Sequence, residues 1–398
     1  MRHISACIAL LGSLLIASSA YAQSPEWKGK IEYEDRVKFV INPKEPLYGD
    51  IKFNLEEDLI IEERVGRKYR FYQISRIAVG REGNIYALDI RKNQVFRFDR
   101  TGEYIDKFGG KGQGPGEFER PAYILIDNRQ NIFVSENRKI QIFNNQGKYL
   151  DRISFNNDIT QFICDDGGNI IAISHVVTEE GTKKAIMKFD DKGRMIKELA
   201  VFTDIKAVVR KGDDGKPFSL KVYHEYNYWP YLCPSGNSRF YYAHPSEYKL
   251  YMMSNEGALE MVIEKNGSPK QIGRKEKELI VDRIEGRLKR MGRTFSRDYI
   301  EAACQFPEHR PFFNSITSDK RGFLFIARTK SVIDENESYD FDIFGENGIF
   351  LYRTSLRFEP DYIDKGNLYR IYVDDDPAEV KLIKYKIKNW DQIKNCIN

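Results

Sequence analysis

Between Ile77 and Ile126 the apolar residues fall into four short runs, each closed by a turn signal: Gly80–Gly83, Arg91–Asn93, Asp99–Gly102, then a glycine-rich passage. Short apolar runs with tight polar connections predict strands joined as an antiparallel meander. A lone meander cannot bury its faces, so the pattern predicts neighbours of the same kind.

Those neighbours are present. Aligned on their Asn-Ile pairs, Asn84-Ile85-Tyr86 matches Asn131-Ile132-Phe133, and Thr101-Gly102-Glu103-Tyr104 matches Gln146-Gly147-Lys148-Tyr149. Continued along the chain, the repeat gives six units near residues 76–108, 123–155, 162–199, 232–263, 315–356 and 362–387. The sixth offers only two or three strands, whereas Asp58–Val65 is a strand with no meander of its own. A strand from one terminus that completes a sheet at the other closes a ring and leaves only short protected edges. The expectation is an all-β, six-bladed β-propeller closed by an N-terminal strand, one domain over residues 58–398.

Two inserts break the period, at residues 201–231 and 265–313. The first carries a polar turn, Lys211–Lys216, and then the aromatic run Val222–Tyr231. In the second, Leu279, Ile280, Ile284, Leu288 and Met291 recur at helical spacing, and Ser296 stands where a cap would start a further helix to Cys304. A helical insert is therefore expected between blades four and five.

The N-terminus reads differently. Arg2, the apolar run Ile8–Ala17 and the small-x-small site Ala20-Tyr21-Ala22 form a cleavable signal peptide over residues 1–22. Residues 23–57 follow as a polar lead-in expected on the surface. The chain is thus expected to be exported, periplasmic or extracellular, with no transmembrane segment and as a monomer. Charge narrows the partners: 63 Lys and Arg against 59 Asp and Glu give a net charge of +4 with the signs interspersed, so nucleic acid is not indicated. A small molecule, a glycan or a protein stays open. Aromatics at 13% fit strands. Cys164, Cys233, Cys304 and Cys396 are widely spaced without a CxxC; three pairings exist, and buried free thiols are the alternative.

Asp127–Phe143 and Gly83–Phe98 resemble NHL-type propeller repeats, and Phe108–Phe118 followed by Pro121 resembles an inter-blade signature of exported, Bacteroides-type six-bladed propellers. That resemblance implies the fold and leaves the activity open, because one fold hosts many functions. An NHL-type amidating lyase holds zinc through histidines from several blades; this chain has no histidine repeated at the matching strand.

Propeller geometry puts the connections between second and third strands on the same face as the crossovers between blades. Gly109–Arg120 and the two inserts should crowd that face, near the mouth of the central channel. The ends of the second strands point there too, giving Asp89, Glu136, Ser174 with His175, Tyr242, Arg328 and Tyr372. Such a ring suits a polar ligand or an ion, and equally suits ordinary turn chemistry. His224, Tyr226, Tyr228 and Trp229 form a second group, suited to stacking on a sugar or peptide or to packing the insert onto the disc. Catalytic residues are not indicated: the sequence holds no HExxH, GxSxG or P-loop, and Asp374–Asp376 lacks the spacing of an EF-hand. No cofactor is assigned, with calcium or zinc open. The reading is a binding or scaffold module, against a metal-dependent hydrolase or lyase at the channel mouth or an interaction subunit using the helical insert.

Ring closure yields the first prediction. Removing the residues before Gly66 should unfold the chain or drive it to oligomerise; an unchanged melting temperature in the truncated chain would contradict the closure.

Overall fold

The computed structural model describes residues 25–62, 69–178, 181–204, 206–211, 217–235, 239–319, 321–336, 338–374 and 380–394. The leader 1–22, the end of Asp58–Val65, most of the turn Lys211–Lys216, Asp375, Asp376 and Cys396 lie outside the described residues.

Four blades, at residues 74–109, 123–154, 159–203 and 313–356, are four-stranded antiparallel meanders in chain order. Their turns explain why the sequence forms them. Asp99–Gly102, Asn144–Gly147 and Asp190–Gly193 each join a third strand to a fourth. The first side chain of each accepts the backbone N–H groups two and four residues on, at 2.8–3.0 Å. The glycine in fourth place has φ of 83°, 78° and 78°, a left-handed conformation that other residues adopt at a cost. Local chemistry therefore sets each hairpin before any packing does.

Packing then joins the blades. Seven buried apolar clusters are present among the described residues, and six of them each span one pair of adjacent blades. Ile61, Tyr369 and Leu382 meet Ile77, Phe96 and Phe98 where blade six adjoins blade one, so the ring is closed. Blade six is made of Tyr362–Asp364, Asn367–Val373, Val380–Ile387 and, outermost and antiparallel, Leu55–Glu62. The closing strand thus begins three residues earlier than the sequence pattern suggests.

The lead-in differs from expectation. Lys30–Glu34 and Val37–Asn42 form a hairpin whose second strand pairs in parallel with Leu259–Lys265, the outer strand of blade four, making that sheet six-stranded. The chain then crosses the edge of blade five, where Leu47, Tyr48 and Ile51 donate backbone hydrogen bonds to the carbonyls of Phe350, Leu351 and Arg353 at 2.8–2.9 Å. From there it enters blade six. Residues 37–62 are therefore a belt along the outer edges of three consecutive blades. Unpaired strand edges invite aggregation, and the belt satisfies them. No hydrophobic pattern announced this, because the first strand is wholly exposed and the partners lie over 200 residues away.

Two helices, α1 (Arg274–Arg290) and α2 (Arg297–Cys304), follow blade four. Ile280, Val281, Ile284 and Leu288 form the buried stripe of α1. Met291, expected on that stripe, is 62% exposed because the helix ends just before it and the chain turns at Gly292. Ser296 occupies the N-cap position of α2, but its hydroxyl makes no capping bond. Cys164, Cys233 and Cys304 are free, and burial pushes the Cys233 and Cys304 thiols up to about 12, where they are inert.

Asn42 locks the belt. Fully buried, its amide donates to the carbonyl of Gly348 at 2.9 Å and of Glu264 at 3.2 Å, and its oxygen accepts the Phe350 N–H at 2.7 Å. Asn42→Ala should strand a buried N–H and two carbonyls and destabilise the fold by about 2–3 kcal/mol, read from the chemical denaturation midpoint. A change within error would show that water replaces the amide.

Candidate functional site

At the ends of the second strands, the first two carboxylates are turned toward backbone. Asp89 is fully buried and accepts the N–H groups of Tyr72 at 2.7 Å and of Arg91 and Lys92 at 3.0 Å. Glu136 is likewise buried, accepts from Glu119 N at 2.5 Å and Arg120 N at 3.2 Å, and ion-pairs with Lys139 at 2.8 Å. Each carboxylate clamps the crossover entering its blade. Ser174 does the same job more weakly, its hydroxyl donating to the Asp158 carbonyl at 3.2 Å. Arg328 reaches along blade five to Asp340 at 2.8 Å and Asp342 at 3.6 Å. Asp342, fully buried, also takes Lys265 and the Tyr248 hydroxyl, each at 2.6 Å. Tyr242 stacks on Tyr251, and Tyr372 lies under Arg370. No hydrogen bond or ion pair joins Asp89, Glu136, His175 and Arg328 to one another among the described residues, nor do three His, Cys, Asp or Glu gather there as metal ligands.

The second group is drawn together by the inserts. The seventh apolar cluster belongs to neither ring nor blade: Leu220, Val222 and Tyr226 of the first insert pack with Ile280, Ile284, Leu288, Tyr299 and Ile300 of the second. Two segments separated in sequence by a whole blade thus share one core and form a cap on one face. Gly109–Arg120 stays apart, holding to blade two through Phe118 against Phe143 and Gly116 N to Gln141 at 2.9 Å.

The aromatic run is the seam of this cap. His224 accepts from Tyr226 N at Nδ1 (3.2 Å), which leaves Nε2 to donate to the Cys304 carbonyl at 2.9 Å, a neutral tautomer that burial reinforces by lowering its pKa. Tyr228 donates to the carbonyl of His309 at 2.9 Å. Tyr226 is fully buried; its hydroxyl donates to Glu276 Oε1 at 2.5 Å and accepts from Val332 N at 2.8 Å, and burial pushes it up to about 12. Glu276 is the hub. It takes the hydroxyls of Tyr226 and of Ser331 on blade five, and its other oxygen accepts Gly273 N at 2.8 Å, capping α1. Burial works against its charge, but these hydrogen bonds and the nearby Arg310 outweigh it and hold its pKa below the ordinary value.

Beneath the cap, the hairpin of blade three, Ile170–Thr178 with Gly181–Phe189, runs to nine residues a strand. Lys184 on it is 1% exposed, pairs with Asp204 at 2.8 Å and lies 3.3 Å from the ring centre of Trp229. Lys221 and the Tyr223 hydroxyl reach the other oxygen of Asp204 at 2.6 and 3.1 Å. Burial opposes the Asp204 charge, yet the two lysines hold its pKa down; burial also lowers Lys184. His175 faces this group across the hairpin, half-buried and lowered by burial. His244 stacks on Phe202 at 4.7 Å and is pushed down to about 4 by burial, with the Lys184 charge adding. Sequence reasoning missed Lys184, Asp204 and Glu276. One signal existed: Lys184 alternates in register with buried Ile186, and a charge on a buried face requires a partner.

On the outside of the cap, Tyr223–Glu225 and α1 enclose an open cleft of about 460 Å³, walled by Arg283, Arg287 and Arg290.

Residues 68–208 match a family model described as a 6-bladed beta-propeller. The fold is a six-bladed β-propeller. Among solved structures this propeller is similar to a Bacteroides fragilis protein provisionally named as exported, at 13% identity and a TM-score of 0.52 over 87% of this chain and 99% of that one. A Bacteroides vulgatus protein follows at 11% identity and 0.51, over 84% of this chain and 98% of that one. A Xanthomonas campestris gluconolactonase gives 10% and 0.42, over 84% and 96%. Likeness at such identities shows the fold alone, and the last carries no argument about activity. A comparison with curated proteins finds no match.

The hub makes the cap acid-sensitive. Because Glu276 has a depressed folded pKa, its stabilisation is present above the unfolded value and lost as pH falls through the folded one. Hydrogen exchange of the α1 amides, corrected for intrinsic rates, should accelerate in acid below that value. Glu276→Gln should remove the acid dependence and weaken protection at neutral pH by about 2 kcal/mol; an unchanged acid slope in the variant would sink the assignment.

Proposed function

We propose that this propeller is an exported binding or scaffold module whose ligand face is the capped one. The observation that carries the reading is the cap: a ring with all its interfaces packed has no need of two distant inserts sharing a core. Loops and inserts carried by a rigid scaffold are where recognition concentrates. Export rests on the leader pattern of residues 1–22. His224 serves this reading in the lining of the cleft, while Tyr226, Tyr228 and Trp229 hold the cap together and onto the disc. A hydrolase or lyase at the channel mouth finds less support, since Asp89 and Glu136 already accept backbone amides.

The test is a binding screen with the full chain on glycans and peptides, followed by hydrogen exchange with each hit. Ligand-induced protection should map to residues 220–231 and 274–304. Protection confined to the opposite face of the disc would overturn the proposal.

A further inference from the structure

We infer that the cleft between Tyr223–Glu225 and α1 takes an acidic saccharide, its carboxylate or sulfate groups held by Arg287 and Arg290. This rests on the capped face being the ligand face and names the chemistry of what binds there.

Arg283, Arg287 and Arg290 recur at the spacing of one helix face and span about 10 Å along the axis at the usual rise per residue. Their charges are not equally answered. Arg283 pairs with Glu225 across the cleft at 3.2 Å. Elsewhere on the insert, Arg274, Lys289 and Arg297 hold carboxylates at 2.6–2.7 Å. Arg287 and Arg290 have no carboxylate within ion-pair distance among the described residues, and both are exposed. Cations three or four residues apart on a helix repel. The helix C-terminus favours positive charge, which accounts for arginines in the last turn. It does not account for the concave wall that Tyr223 and Glu225 set opposite them. An arginine fork donates to the two oxygens of a carboxylate or sulfate side by side, and two forks one turn apart suit successive acidic units of a chain.

The remaining lining argues against most peptides. They are held by apolar anchors in pockets or by pairing with a strand edge, and only phosphorylated or acidic motifs are held by arginine clusters, the case that the polyglutamate probe below separates from a saccharide. This cleft is walled by a loop and a helix, so it has no strand edge, and Ile284 is its one aliphatic side chain, already buried in the cap core. A polar, polyanionic chain needs neither.

The experiment is calorimetry with the full chain against four probes of similar length: an oligogalacturonate, a sulfated oligosaccharide, a neutral glucan and a polyglutamate peptide. The carboxylated or the sulfated saccharide should bind, more weakly as salt is raised, and the neutral glucan should not. Arg287→Ala with Arg290→Ala should weaken binding about tenfold or more, with the melting temperature unchanged because both side chains are exposed. Glu225→Gln should strengthen it by releasing Arg283. Arg287→Lys with Arg290→Lys should bind between the two, keeping charge without the fork. Unchanged affinity in the double alanine variant would overturn the inference, and polyglutamate binding as tightly as the saccharides would reassign the cleft to acidic peptides. A neutral ligand that protects the cap while no acidic saccharide binds would sink this inference and leave the ligand face standing. A chain on which no ligand protects the cap would lose both.

Discussion

Ring closure is the constraint on which the rest of this molecule depends. A four-stranded blade has two apolar faces and can bury neither alone. Six blades in a row would still leave two faces wet, and only contact between the last and the first removes them. Here that contact is built from segments over 300 residues apart, with Ile61 paired to Leu382 and packed toward Phe96 and Phe98. The same need dictates the route of the N-terminus. To deliver Leu55–Glu62 to blade six, the chain runs along blades four and five, and backbone groups that would otherwise face water find partners on the way. Blades one to three keep bare outer strands, and these are studded with Asp106, Lys107, Asp151, Arg152, Lys197 and Glu198. Charge guards an edge where the belt does not reach.

The ring is near-symmetric in its interfaces, but its faces are not. Among the described residues only the face of the crossovers carries a cap, and the cap is tied down by buried polar contacts instead of surface ion pairs, which contribute little each. Glu276 gathers hydroxyls from the first insert and from blade five, and His224 reaches across to the end of α2. A buried carboxylate with all its contacts made is costly to disturb, so the cap and blade five should move as one body.

Much of the ring was legible because its signals are local. Asp or Asn followed three residues later by Gly sets a hairpin through bonds within five residues, and the short apolar runs Ile85–Leu88 and Ile132–Val134 mark the strands beside such turns. The closing strand was legible as a leftover. The belt was not, since Lys38–Asn42 pairs with the distant residues Met261–Lys265 and shows no amphipathic pattern that would point to them. The cap was half legible: its helices followed from spacing, while its seam with the aromatic run is a tertiary contact. The acidic residues at the strand ends were visible, and their bonds to incoming amides were not, because a turn-capping Asp and a ligand-binding Asp look alike in sequence.

Charge gives the last step. Among the described residues, three buried pairs hold their charges matched inside this protein: Lys184 with Asp204, Lys188 with Asp165, Asp342 with Lys265. Breaking such a pair leaves a desolvated charge and costs about 3–5 kcal/mol, so these groups cannot turn to a ligand without loosening the fold. His175 and Trp229 are committed by the same logic, since both stand against the Lys184 pair. Groups that keep water have no such obligation. Arg287 and Arg290 are charged, fixed in spacing by a helix whose other face is anchored in the cap core, and placed against a wall that narrows the solvent in front of them. The helix fixes where the two donors start, while each side chain still gives up about 0.5–1.5 kcal/mol of rotamer freedom on meeting a ligand, so what sets this pair apart from a merely basic surface is its fixed spacing.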